Sequence, residues 1–203
     1  SIEEPLEIII KYKEKENWIE NTISITMRTP GDDEDLVRGF LFNERVIEKI
    51  DYIESIELAG EPVGKYKLKN KAVVTINNSE NIDIDKIKRN FLTNSSCGVC
   101  GKTSLDSLEI IKKDKIVKSF PKIKYETIMK SPNMLRQNQS EFSKTGGIHA
   151  SGLFKFSGDI IAVKEDVGRH NALDKLIGFV LKKELLDNSS QFLTCSGRLN
   201  FDL

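Results

Sequence analysis

Apolar and polar positions alternate over residues 6–13 and 17–28, two runs rich in Ile and Thr separated by the charged turn Lys13–Glu16. That period predicts a β-hairpin. Thr29, Pro30, Gly31 and Asp32 break the second strand, and Leu36, Val37, Phe40 and Leu41 then recur with helical spacing behind an acidic first turn, which predicts a helix over 33–44. Short strands are expected over 51–59, 65–69 and 71–77 around the Gly60–Gly64 turn, followed by a short helix through Ile84, Ile87 and Phe91. Leu105, Leu108 and Ile111 form a stripe on a helix starting near Thr103, and a strand is expected over Ile116–Phe120.

Ser131 followed by Pro132 reads as a helix start, with Leu135 and Phe142 as its buried residues. An apolar run over 148–156, the turn Ser157–Asp159 and a run over 160–163 predict a second hairpin. A polar loop over Glu165–His170 leads to a helix with Ala172, Leu173, Leu176, Ile177, Val180 and Leu181 on one side; Asn171 with Asp174 three residues on resembles a capping box, which makes Asn171 the expected cap. A strand over 192–195 and the turn Ser196–Arg198 follow. Interleaved helices and strands imply a layered α/β or α+β fold.

The 203 residues, 38% hydrophobic and 31% charged, suffice for one sizeable core. Lys plus Arg equals Asp plus Glu at 31 each, so the chain lacks the global charge of a general nucleic-acid binder. No apolar run approaches the roughly 20 residues that span a bilayer, and residues 1–20 carry Glu and Lys throughout. A cytoplasmic protein with neither nucleic acid nor membrane as partner is the expectation. The chain opens on Ser1 and ends at Leu203 just as an apolar element begins, the pattern of a fragment.

Three cysteines cannot make a paired disulfide framework, and two of them stand as Cys97 and Cys100 in Ser-Cys-Gly-Val-Cys-Gly-Lys. The glycines allow a tight turn, a helix start follows, and Lys102 adds a cation; each favours thiolate over thiol. The loop alone leaves three readings open: a dithiol oxidoreductase, a structural zinc site, for which only Cys195, His149 and His170 remain as further soft ligands, and a persulfide carrier. The second constellation joins Gly146, Gly147 and His149 with Arg169, His170 and Asn171 and with Ser196, Gly197 and Arg198. Gly-rich turns and helix starts bind phosphate through backbone N–H groups, and the two arginines can hold it bidentately, so the expected ligand is anionic. Glu165 and Asp166 as an acid–base pair is a weaker reading, since adjacent residues on an extended loop point apart.

The stretch TPGDDEDLVRGFLFNERVI, the loop CGVCGK, the run TGGIHASGLF, the block EDVGRHNALDKLIG and the terminal SGRLNF resemble, in this order, the FdhD/NarQ family of formate dehydrogenase accessory sulfurtransferases. The resemblance implies that a cysteine desulfurase loads sulfur as a persulfide on the CxxC loop, with Cys97 as carrier and Cys100 as its partner. The sulfur then passes to the molybdenum or tungsten bis(molybdopterin guanine dinucleotide) cofactor before that cargo enters formate dehydrogenase; no resident structural metal is expected, and a homodimer is. The cofactor-binding candidates are Gly146, Gly147, His149, Arg169, His170, Asn171, Ser196, Gly197 and Arg198.

The family core resembles the cytidine deaminase fold, which implies a β-rich lobe over 1–111 carrying the CxxC loop and a deaminase-like core over 112–203 that is incomplete at its C-terminus. Where deaminases place zinc ligands and a catalytic Glu, this chain reads His170, Asn171, Ala172 and Cys195, Ser196, Gly197, Arg198. The glutamate and paired cysteines are missing, which disfavours deamination and leaves those helix starts for phosphates. The family's chains continue past the Ser-Gly-Arg turn, with a segment thought to contact the cofactor. The alternatives are a cofactor chaperone whose cysteines are incidental and a zinc-dependent deaminase-like hydrolase.

Overall fold

The computed structural model describes residues 2–62, 66–77, 82, 122–187 and 189–198. The expected helix at 84–91, the Cys97–Cys100 loop, the helix from Thr103 and the strand at 116–120 lie outside the described residues.

The first hairpin forms as the alternation predicts: β1 (Glu4–Glu14) pairs antiparallel with β2 (Asn17–Arg28). Leu6, Ile8, Ile10 and Tyr12 of β1 all point into the core. After α1 (Asp33–Asn43) and a 3-10 turn (Ile50–Tyr52), β3 (Ile53–Ala59) and β4 (Lys71–Ile76) complete a four-stranded sheet of order β2-β1-β4-β3, with β1 and β4 parallel. Residues 66–69 form a turn with an isolated bridge at Leu68 rather than the expected strand. Leu36, Val37 and Leu41 of α1 join the β1 and β4 side chains in one core cluster.

The helix expected to start at Ser131 begins earlier, as α2 (Tyr125–Gln137), with Pro132 in its interior. Proline there removes the donor that would reach the Ile128 carbonyl four residues back. The Ser131 hydroxyl takes that acceptor instead, at 3.0 Å, so the helix continues. Phe142 belongs to a separate short helix, α3 (Ser140–Thr145), which ends on Gly146 at φ 71°, a left-handed conformation natural to glycine.

The second hairpin, β5 (His149–Lys155) with β6 (Ile160–Asp166), and β7 (Gln191–Cys195) form an antiparallel sheet of order β6-β5-β7. One face packs Leu153 against Leu176 and Val180 of α4 (Arg169–Lys182); the other packs Ala150 and Phe154 against Leu135 of α2. The layers therefore run first sheet, α1, α4, second sheet, α2, a mixed α/β architecture. Among the described residues no helix is long and apolar enough to cross a membrane.

The two halves are joined by buried polar contacts. The fully buried Asp166 carboxylate pairs with Lys175 Nζ at 2.7 Å and accepts the Thr29, Gly168 and Asn171 side- or main-chain N–H groups. Lys175 also donates to the Thr29 carbonyl, and Arg28, itself fully buried, grips Asp33 with two 3.0 Å bonds. Burial of charge is tolerated here because every group has partners.

Candidate functional site

Three chain segments meet at one end of the second sheet. Gly146 and Gly147 link α3 to β5, Arg169 opens α4, and Ser196 and Gly197 follow β7. Ser196 locks the last of these in place: its hydroxyl oxygen accepts the Ala150 N–H at 2.9 Å, and its own N–H donates to the Ala150 carbonyl at 2.9 Å. A Cβ built on Gly197 would stand 3.3 Å from His149 Nδ1 and 3.5 Å from the Arg169 side chain, so His149, Arg169 and Gly197 are immediate neighbours.

A cavity of about 580 Å³ opens here, between α2, α3 and the ends of β5 and β7. Gly146, Gly147, His149 and Ser196 line it, with Cys195 and Ile148. Its other wall comes from α2, α3 and the link between them: Pro132, Leu135, Arg136, Gln139 and Phe142, of which the sequence marks Leu135 and Phe142 as buried helix residues and none as a site residue. The Arg136 guanidinium lies 3.2 Å from the Phe142 ring centroid, a cation–π stack that leaves the N–H edge of the guanidinium as its means of meeting an anion.

Glu165 holds this wall against the sheet. Its two carboxylate oxygens accept the main-chain N–H groups of Glu141 and Phe142, both at 2.9 Å, and the Ser140 hydroxyl stands at 3.4 Å. A carboxylate on the open N–H groups of a helix start satisfies donors that the helix itself cannot. Glu165 and Asp166 therefore both carry structural contacts, in opposite directions, as adjacent residues on a strand must.

The remaining candidates are placed differently. Arg169 is half-buried with Nε unpaired, His170 is half-buried, and Arg198 is exposed. Asn171 does not reach the cavity: its Nδ2 donates to the Met27 carbonyl at 2.8 Å and to Asp166 Oδ1 at 3.1 Å, while its Oδ1 accepts from Thr26. The expected capping role is also corrected. Gly168 is the N-cap of α4, without a side-chain cap, because Asn171 is drawn to Asp166 and to the first sheet instead. Asp174, the supposed reciprocal partner, faces Asn43 of α1. Cys97 and Cys100 lie outside the described residues. Among those described, no three His, Cys, Asp or Glu side chains gather as a metal site.

Known proteins resemble this chain in fold and in sequence. A formate dehydrogenase accessory protein from Desulfotalea psychrophila superposes with a TM-score of 0.65 at 21% identity, over 98% of this chain and 67% of that one, a likeness of fold. "Sulfur carrier protein FdhD" of Picrophilus torridus is 42% identical over 204 residues, covering 100% of this chain and 71% of that protein. The proteins of the same name from Sulfolobus acidocaldarius and Streptomyces coelicolor are 37% and 40% identical, covering 100% and 99% of this chain and 70% and 69% of theirs. Residues 1–203 match the FdhD/NarQ family, and the chain belongs to that family.

Proposed function

We propose that this protein is a sulfur carrier for the maturation of formate dehydrogenase. What carries the reading is family membership across residues 1–203, with Cys97 and Cys100 present in the chain and relatives such as the Picrophilus torridus protein, 42% identical, named as sulfur carriers. Cys97 thiolate attacks the outer sulfur of a desulfurase persulfide, the S–S bond breaks, and the desulfurase cysteine leaves as thiolate. Thiolate attack by Cys100 on Cys97 then releases the carried atom as hydrosulfide while the Cys97–Cys100 disulfide closes, so the pair supplies the two electrons that turn sulfane sulfur into a ligand.

The acceptor is the molybdenum or tungsten bis(molybdopterin guanine dinucleotide) cofactor, bound as cargo at the cavity beside Gly146, Gly147 and His149. Arg169, Gly197 and Arg198 continue that surface and suit the dinucleotide phosphates; Arg136 adds a cation at the cavity wall. In the deaminase comparison the same helix starts surround zinc, and here they would face phosphate. A homodimer working in the cytoplasm with a cysteine desulfurase and the formate dehydrogenase catalytic subunit completes the proposal.

The test is intact-mass spectrometry after incubation with a cysteine desulfurase and cysteine. One added sulfur atom is expected, removable by reductant and lost in Cys97→Ala. A protein that gains no sulfur, or a Cys97→Ala, Cys100→Ala variant that still activates formate dehydrogenase in cells lacking the native copy, would establish a cofactor chaperone instead.

A further inference from the structure

The outer side of α2 is apolar and exposed. Its inner side packs on the second sheet through Met134 and Leu135, with the Ser131 hydroxyl oxygen accepting from Thr194 at 3.0 Å. On the outer side Tyr125, Met129 and Pro132 recur at the i, i+4, i+7 spacing that aligns side chains along a helix, with Ile128 beside them. Tyr125 is 70% exposed, Met129 57% and Ile128 45%. A single exposed apolar residue means little, but contiguous ones inside a polar rim mark a surface kept for another molecule. Tyr and Met are among the side chains enriched where proteins meet.

The rim defines the chemistry of the occupant. Lys122, Lys124 and Lys130 are exposed and form no ion pair, whereas Lys11, Lys71, Lys144 and Lys182 elsewhere on the surface each meet a glutamate. Glu126 is the only acid in α2. In a chain whose charges balance at 31 each, this surface keeps an excess of cations, and its complement is a protein surface with an apolar centre and acidic flanks. The stripe also runs into the cavity: Pro132 belongs to both, and Arg136, the next residue along the same line of the helix, lines the cavity as well. A protein that takes cargo from the cavity has to approach this mouth, whereas a sulfur donor has to reach Cys97.

We propose that the Tyr125, Ile128 and Met129 face of α2 docks the protein that receives the cargo, a formate dehydrogenase catalytic subunit presenting an apolar segment flanked by Asp and Glu. The inference rests on the cavity being the cargo site and adds where the receiver binds.

Biolayer interferometry of the whole chain against the cofactor-free catalytic subunit tests it, beside intact-mass measurement of sulfur loading on the same preparations. Met129→Glu should weaken binding about tenfold or more, as for an apolar contact central to an interface. Joint Lys122→Glu, Lys124→Glu and Lys130→Glu changes should slow association about tenfold and flatten its salt dependence. Both variants should still gain one sulfur atom. Unchanged subunit binding in both variants, or a parent that loads sulfur yet does not bind the subunit, overturns the inference and leaves the carrier reading standing. Loss of loading in Met129→Glu with subunit binding intact assigns the face to the desulfurase. Binding of phosphatidylglycerol vesicles, or a dimer seen by light scattering, that Met129→Glu abolishes while subunit binding persists assigns it to a membrane or to a second copy; each of these three outcomes also overturns the inference. A parent that loads no sulfur overturns the carrier reading and the inference with it.

Discussion

Gly39 of α1 and Gly178 of α4 meet backbone to backbone: a Cβ built on Gly178 would lie 2.8 Å from the Gly39 main-chain nitrogen and overlap the Asp35 carbonyl. A Cβ on Gly39 would likewise overlap the Asp174 carbonyl. At these two positions the helices touch main chain to main chain, and the first sheet is thereby fastened to the layer that carries the site. Alanine in place of either glycine gains about 1 kcal/mol of helix propensity, but the atom it meets is backbone and cannot rotate away. The clash wins, and Gly178→Ala should lose about 1–3 kcal/mol or more in denaturant unfolding. A variant as stable as the parent would show that the helices can separate freely.

Asp166 and Lys175 form a pair 0% and 2% exposed, tied to Thr29, Gly168 and Asn171. Removing one charge strands the other in the interior, which costs about 3–5 kcal/mol. Lys175→Met should therefore destabilise severely, whereas Asp166→Asn with Lys175→Met should cost clearly less than the two single changes summed. Additive losses in a double-mutant cycle would mean that the charges do not act as a pair.

Burial pushes the Asp174 carboxyl up from 3.8 to about 8; the Asn43 amide, donating at 2.7 Å, works against that, and the charges of Glu44 and Asp166 add to it. With a folded-state pKa above the unfolded one, the group's contribution is full below about pH 4 and is lost as pH rises through about 8. Thermal melts should show stability falling across that window by up to a few kcal/mol. Asp174→Asn keeps an oxygen for Asn43, so it should flatten the profile and raise the melting temperature above about pH 8. Parallel pH profiles for parent and variant would assign the pH dependence elsewhere.

The sheets and α1 were legible because their apolar residues repeat at the strand or helix period, and burial follows that period from Leu6 to Tyr12 and again from Leu36 to Leu41. Local end signals misled where a distant partner competed. Ser131-Pro132 imitates a helix start, yet Ser131 repairs the bond that Pro132 removes. Asn171 imitates a cap, yet Asp166 and the Met27 carbonyl hold it. Part of the cavity wall was equally hidden, since Arg136 and Gln139 sit in a polar stretch without period. Only the fold shows that Gln139 is buried.

Glu165 connects that hidden wall to the sheet, and its removal tests whether the wall must be held still. Glu165→Ala takes the acceptors from the Glu141 and Phe142 N–H groups and frees α3, whose Phe142 stacks on Arg136 of α2. Loss of such a helix-start contact costs about 0.5–2 kcal/mol, too little to unfold a protein of ordinary stability. The larger effect should fall on the cavity: GMP affinity should drop about tenfold, as expected when a binding surface loses its preorganisation. Glu165→Gln keeps one carbonyl oxygen as acceptor and should recover part of both losses. Unchanged GMP binding in Glu165→Ala, with the stability loss present, would show that α3 holds its place through apolar packing alone.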